Sequence, residues 1–197
     1  MLDILPSLLA FSLAMALTPG PNNVMVTASA ATFGFRRTVP HMLGITVGFP
    51  AMTVAVGLGL GTVFTTYPVI HVVLKWVGAA YLCWLAWLVA TASRPEAGEA
   101  GAGPFGFWRA ALFQWVNPKA WLTVFGALAT YTTVEAPMGP QLAFITAVFV
   151  VLTFPCLSVW ALFGTVIGRF LSTGRRLRIF NVCMAALVLA SLVPALR

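Results

Sequence analysis

The stretch LTPGPNNVMV, residues 17–26, places two prolines, a glycine and two asparagines inside a run that is otherwise apolar from Ile4 to Phe33. A run of that length is a candidate membrane crossing, because about 20 apolar residues span a bilayer. Proline lacks an N–H and blocks the helical hydrogen bond to the residue four before it. Each carbonyl opened in this way costs several kcal/mol in hydrocarbon unless it finds a partner. Such a break survives only where it is buried in protein or lines a watery cavity. The rest of the chain has to supply that setting.

Composition points the same way. The chain is 60% hydrophobic and 8% charged, where soluble domains carry roughly 25% charged residues. That is too little polar surface to cover a water-soluble globule, and it implies an integral membrane protein. The start, MLDILPSLL, has an acid and no basic region, and the apolar run continues past a typical signal-peptide core. The first segment is therefore expected to be retained as a helix. A net charge of +7 raises nucleic acid as a partner. The basic residues, however, lie mostly between apolar segments, which is the pattern of membrane orientation. The partner they imply is the lipid bilayer, and no nucleic acid is expected. Cys83, Cys156 and Cys183 are dispersed in apolar runs without metal-ligand spacing. They read as small buried hydrophobes, with no metal site and no cofactor expected.

Six apolar stretches follow one another, at about 4–33, 39–66, 69–92, 108–132, 139–168 and 176–196. The expected fold is an all-α integral membrane protein of six transmembrane helices, forming one transmembrane domain over 1–197. A first half, about 1–92, and a second, about 108–197, are joined by a loop over about 93–107. That loop is rich in Gly, Ala and Pro and holds Glu96 and Glu99. Arg36, Arg37, Arg94, Arg109, Arg169, Arg175, Arg176 and Arg178 flank the odd loops, against Lys75 and Arg197 on the other side. Eight against two puts the odd loops in the cytoplasm and both termini in the periplasm.

Three helices per half make the second half enter from the opposite side, as in inverted-topology repeats. FPAMTVAVGLG (49–59) and FPCLSVWALFG (154–164) share Phe, Pro, a hydroxyl, Val and a final Gly at one spacing. TPGPNN (18–23) and NPKAW (117–121) each set Pro beside Asn within an apolar run, though at a somewhat different offset. A 3+3 inverted repeat with broken first and fourth helices is the expectation.

Pro19, Pro21 and Pro118 would free the carbonyls of Met15, Leu17 and Gln114. Proline also suits the first position of a new helix, and Asn suits the cap before it. Each break then offers a half-helix N-terminus, with free N–H groups and about half a positive charge. Such an end binds anions, carboxylates included. Asn22 and Asn23 either line this site or only satisfy opened backbone. Lys119 costs roughly 2.5–3.5 kcal/mol at the centre of a helix. It is either a cation beside the cavity or a side chain that snorkels towards the cytoplasmic surface near Arg109.

TPGPNN, GITVGF (44–49), GAAYLCWLAW (78–87) and FQWVNPKAW (113–121) resemble, in order and over nearly the whole chain, the LysE/RhtB family of bacterial amino-acid exporters. The resemblance implies a multi-pass bacterial inner-membrane protein, a secondary transporter that moves amino acids or close derivatives out of the cell. It maps the family's motif residues onto Thr18, Pro19, Gly20, Pro21 and Asn22, and onto Asn117, Pro118 and Lys119. With Asn23 these are the candidate substrate-binding residues. The sixth helix departs somewhat, with Cys183 where the repeat alignment would pair it with Gly78.

Other residues bear on coupling, packing and substrate. Asp3, Glu96, Glu99 and Glu135 all lie at ends or in loops, so no carboxylate sits inside a crossing. A strongly cationic substrate would want a buried anion, so small neutral amino acids are favoured. His41 and Lys119 are the candidates for a proton-linked role; His41 reads equally as a hydrogen-bonded interfacial residue, and His71 is a weaker case. Gly44 with Gly48 and Gly164 with Gly168 allow close helix contact, within one subunit or in a homodimer. Gly57, Gly59 and Gly61 loosen the outer end of the second helix. Trp76, Tyr81, Trp84 and Trp87 read as lipid-facing or interfacial. An enzyme would need clustered His, Asp, Glu or Cys at one depth, which the sequence lacks. The alternative function is a carrier of another small solute or a metal ion, and a metal would want clustered soft or acidic ligands.

Overall fold

A computed structural model describes residues 2–60, 68–91, 104–133, 135–171 and 174–190. Most of the expected 93–107 loop, with Arg94, Glu96 and Glu99, lies outside these residues, as do Gly61 and Arg197; so do the side chains of His71 and Lys75. Among the described residues every regular element is helical.

After a 3₁₀ turn over Leu2–Ile4, helix α1 runs Leu5–Leu17. It stops at Thr18, whose φ of −67° and ψ of 133° are extended, as sterics require of a residue before proline. Helix α2, Pro21–Phe33, starts with proline at its first position. It ends on Gly34, whose φ of +85° favours glycine. Helix α3, Phe35–Ala55, contains Pro40 and Pro50 and passes into a π-helical turn, Val56–Leu60, with Gly59 at φ 121°. Helix α4 covers Pro68–Thr91. Helix α5, Phe107–Phe113, leads through a 3₁₀ turn, Gln114–Val116, and the extended Asn117 into α6, Pro118–Tyr131. Helix α7 spans Met138–Phe170 and α8 spans Gly174–Ala190. Two helices, Phe35–Gly59 and Met138–Phe170, are by themselves long and apolar enough to cross a membrane.

Helix α2 is the centre. Every residue from Asn23 to Thr32 is buried, and α7, α8 and α3 pack around it. It has no polar face because no side of it meets solvent. Its small residues let neighbours approach to backbone contact. A Cβ on Gly164 of α7 would run into the Thr27 carbonyl, and one on Gly168 would lie 2.5 Å from that of Ala31. The other glycine pair does the same between α3 and α5. Gly44 faces the Phe107 carbonyl, and a Cβ on Gly48 would lie 2.5 Å from Ala111. Both pairs are filled within one chain, which leaves the homodimer expectation without the residues that prompted it.

The outer surface is apolar, with Trp76, Trp87, Trp108, Val151 and Phe170 all exposed. Such a surface is at home in lipid rather than water. Tyr81 differs from its tryptophan neighbours: it is half-buried and packs on Phe113 with ring centroids 5.8 Å apart. Two cysteines also differ from expectation. Only Cys156 is buried, whereas Cys83 and Cys183 are exposed, because the helices carrying them turn those positions outward.

Candidate functional site

The two interruptions of the chain meet. At the first, residues 18–20 separate α1 from α2; at the second, Asn117 separates the α5 segment from α6. Gln114 links them. It is fully buried and exchanges two hydrogen bonds with Asn22: Asn22 Nδ2 donates to Gln114 Oε1 at 2.8 Å, and Gln114 Nε2 donates back to Asn22 Oδ1 at 3.2 Å. Gln114 Nε2 also donates to the Ala110 carbonyl at 2.8 Å. Sequence reading missed this residue. Its only local signal is an amide in an apolar run three residues before the Asn–Pro pair.

At the first break the side chains that reach the backbone meet the carbonyls of Ala16 and Thr18, not those of Met15 and Leu17. Asn23 Nδ2 donates to the carbonyls of Ala16, at 2.8 Å, and Thr18, at 2.9 Å. The Thr18 carbonyl also accepts from Lys119 Nζ. The carbonyl of Gln114, expected to be free, accepts from the Asn117 N–H at 3.3 Å, because the 3₁₀ turn brings a donor one residue earlier. Asn117 then caps α6, its side chain accepting from the Lys119 N–H at 3.1 Å.

A cavity opens beside these breaks, with walls from α1, α2, α3, α6 and α7. Its volume is about 80 Å³, several times the roughly 10–15 Å³ that one water needs. Gly20, Asn22, Asn23, Asn117 and Lys119 line it. Thr18, Pro19, Pro21 and Pro118 do not line it; they shape the backbone around it. Further lining side chains are polar, Ser12, Thr123, Thr153 and Cys156, or apolar, chiefly Ile45, Phe49, Phe149, Leu152 and Leu157. Lys119 carries the only charge among the described lining residues. The lining thus joins hydrogen-bonding groups and one cation at the breaks to an apolar wall opposite, suited to a small ligand with a polar head.

His41 lies elsewhere. It is buried, neither ring nitrogen has a hydrogen-bond partner among the described residues, and its ring sits 5.3 Å from that of Phe105. It does not line the cavity.

Residues 13–192 match the model of the LysE type translocator family. The chain is 34% identical to the cysteine/O-acetylserine efflux protein of Escherichia coli O139:H28 (strain E24377A / ETEC), over 94% of each chain. It is 35% identical to the protein of that name from Salmonella typhimurium (strain LT2), over 94% of this chain and 93% of the relative. The counterpart in Escherichia coli (strain K12) is 34% identical, over 94% and 93%. No solved structure matches significantly. By the family match and by these relatives, the chain belongs to the LysE-type translocators and is a membrane transporter rather than an enzyme.

Proposed function

We propose that the chain exports small neutral amino acids or close derivatives across the bacterial inner membrane, in the class of cysteine and O-acetylserine. The observation that carries this is the cavity between the two breaks, where hydrogen-bonding groups and one cation face an apolar wall. The substrate carboxylate rests against the N-terminal ends of α2 and α6, near Asn22, Asn23, Asn117 and Lys119, where helix dipoles favour an anion. Thr18, Pro19, Gly20, Pro21 and Pro118 hold those ends apart. Of the two proton-linked candidates, Lys119 is favoured because it lines the cavity and His41 does not. A metal-ion carrier is disfavoured, since the described lining offers a single thiol, Cys156, and no carboxylate or imidazole.

The proposal extends to architecture. One transmembrane domain has six crossings: α1 with α2, α3 with its π turn, α4, α5 with α6, α7, and α8. The packing supports a 3+3 inverted repeat. Exchanging first with fourth, second with fifth and third with sixth leaves the main partners unchanged. The first packs on the fifth as the fourth packs on the second; the second packs on the fifth, and the third on the sixth. The odd loops face the cytoplasm and both termini the periplasm, from the bias of Lys and Arg. Export then rocks one half against the other.

The test is counterflow in proteoliposomes with a broad amino-acid panel that includes cysteine and O-acetylserine. Exchange of small neutral members is expected. Folded protein that exchanges none of the panel overturns the proposal.

A further inference from the structure

We infer that the Lys119 ammonium holds a subsite that the substrate's own ammonium takes over on binding. The subsite is the C-terminal end of α1, at the Thr18 carbonyl. This rests on the export reading above and adds which part of the amino acid goes where.

Three observations carry it. Lys119 Nζ donates to the Thr18 carbonyl, across a sequence separation of 101 residues. That carbonyl lies just past the end of a helix, where backbone oxygens carry partial negative charge and favour a cation. The stem of Lys119 crosses the break over Gly20, where an added Cβ would lie 2.6 Å from Lys119 Cδ. Gly20 has φ −169° and ψ 175°, an extended conformation open to any residue. What glycine supplies there is room: a larger residue would make the lysine stem shift from its place over the break. Finally, no carboxylate stands among the described lining residues to hold a second cation, and Cys156 is the only other titratable group there.

A zwitterion resolves this arrangement. Its carboxylate draws Lys119 off the Thr18 carbonyl, and its ammonium takes the vacated acceptor. Both charges gain a partner, and no acidic residue is required. An amine without a carboxylate would set a second cation beside Lys119 with nothing to draw it away. An acid without an ammonium would leave the Thr18 carbonyl with the neutral Asn23 amide as donor and no cation in place of Lys119. The site so built selects for both charges of an amino acid at once, and Lys119 is the residue that decides it.

The experiment uses three matched probes in proteoliposomes: S-methylcysteine, its decarboxylated amine 2-(methylthio)ethylamine, and its deaminated acid 3-(methylthio)propionate. In the unsubstituted protein only S-methylcysteine should compete with cysteine counterflow. In Lys119→Met the KM for cysteine should rise at least tenfold, and the amine should inhibit at least tenfold more strongly than before. Equal inhibition by the amine in both proteins overturns the inference. A second measurement needs no change at Lys119: alkylation of Cys156 in protein carrying Cys83→Ser and Cys183→Ser. S-methylcysteine should slow the reaction and the amine should not; protection by the amine overturns the inference. If neither cysteine nor any other member of the amino-acid panel exchanges, the export reading falls instead, which separates the two failures.

Discussion

Gln114 shows what one side chain does here. A fully buried amide is costly alone, yet its bonds to Asn22 and to the Ala110 carbonyl satisfy it and fasten the two breaks together. Asn22→Ala strands the buried Gln114 Oε1 and should cost roughly 1–3 kcal/mol, read as a lower melting temperature in detergent; Gln114→Ala, which leaves the half-buried Asn22 open to the cavity, should cost less. Replacing both should cost less than the sum of the two, because the second change removes the stranded group. His41 gives the contrary case. Packed on Phe105 without a polar partner, it should tolerate His41→Phe with no loss of melting temperature. Cysteine counterflow should stay within about twofold of the starting rate; a loss of tenfold or more would restore the proton-linked role to this residue. The sequence marks Asn22, Asn117 and Lys119 as odd in their surroundings. It marks Gln114 only as an amide in an apolar run, with nothing to point to a partner 92 residues away.

At the scale of elements, the breaks follow from local chemistry. Prolines at 19, 21 and 118 end one helix and start the next, whereas Pro40, Pro50 and Pro155 lie inside continuous helices; the Gly or Asn beside the former made both interruptions legible. Pro19→Ala with Pro21→Ala returns N–H groups that can bond the carbonyls of Met15 and Leu17. The double variant should lose export while melting at the same temperature or higher, the usual trade between a strained site and stability. Helix packing was less legible. Gly164→Ala sets a methyl against the Thr27 carbonyl and should push α7 off α2, at about 1–3 kcal/mol. Gly106→Ala, with nothing within 4 Å of the added methyl, is the matched control and should melt unchanged. The motif of paired glycines was visible in the sequence; that α2 and α5 receive them, within one chain, was not.

For the whole molecule, orientation in the bilayer is the proposal most open to test. Cys83 and Cys183 are exposed and Cys156 is buried, so replacing all three by Ser gives a clean background. In intact cells Glu135→Cys should then react with a membrane-impermeant maleimide, whereas Gly174→Cys should react only after the membrane is opened. The reverse pattern would invert the topology. The lipid-facing surface also explains why the register of each helix about its own axis is hard to read. Lipid and protein interior are both apolar, so the hydrophobic pattern that points a helix of a soluble protein inward is nearly silent here.

By itself the sequence determined the solvent this chain lives in, its helical elements, the positions of its breaks and its family. These depend on composition and on bonds reaching no more than four residues along the chain. Only the tertiary structure decided that α2 is buried on every side, that Asn22 meets Gln114, and that Lys119 reaches the Thr18 carbonyl over Gly20. Those contacts depend on how each helix is rotated and how closely backbones approach. That is a property of the packed ensemble of small residues, which no single segment carries.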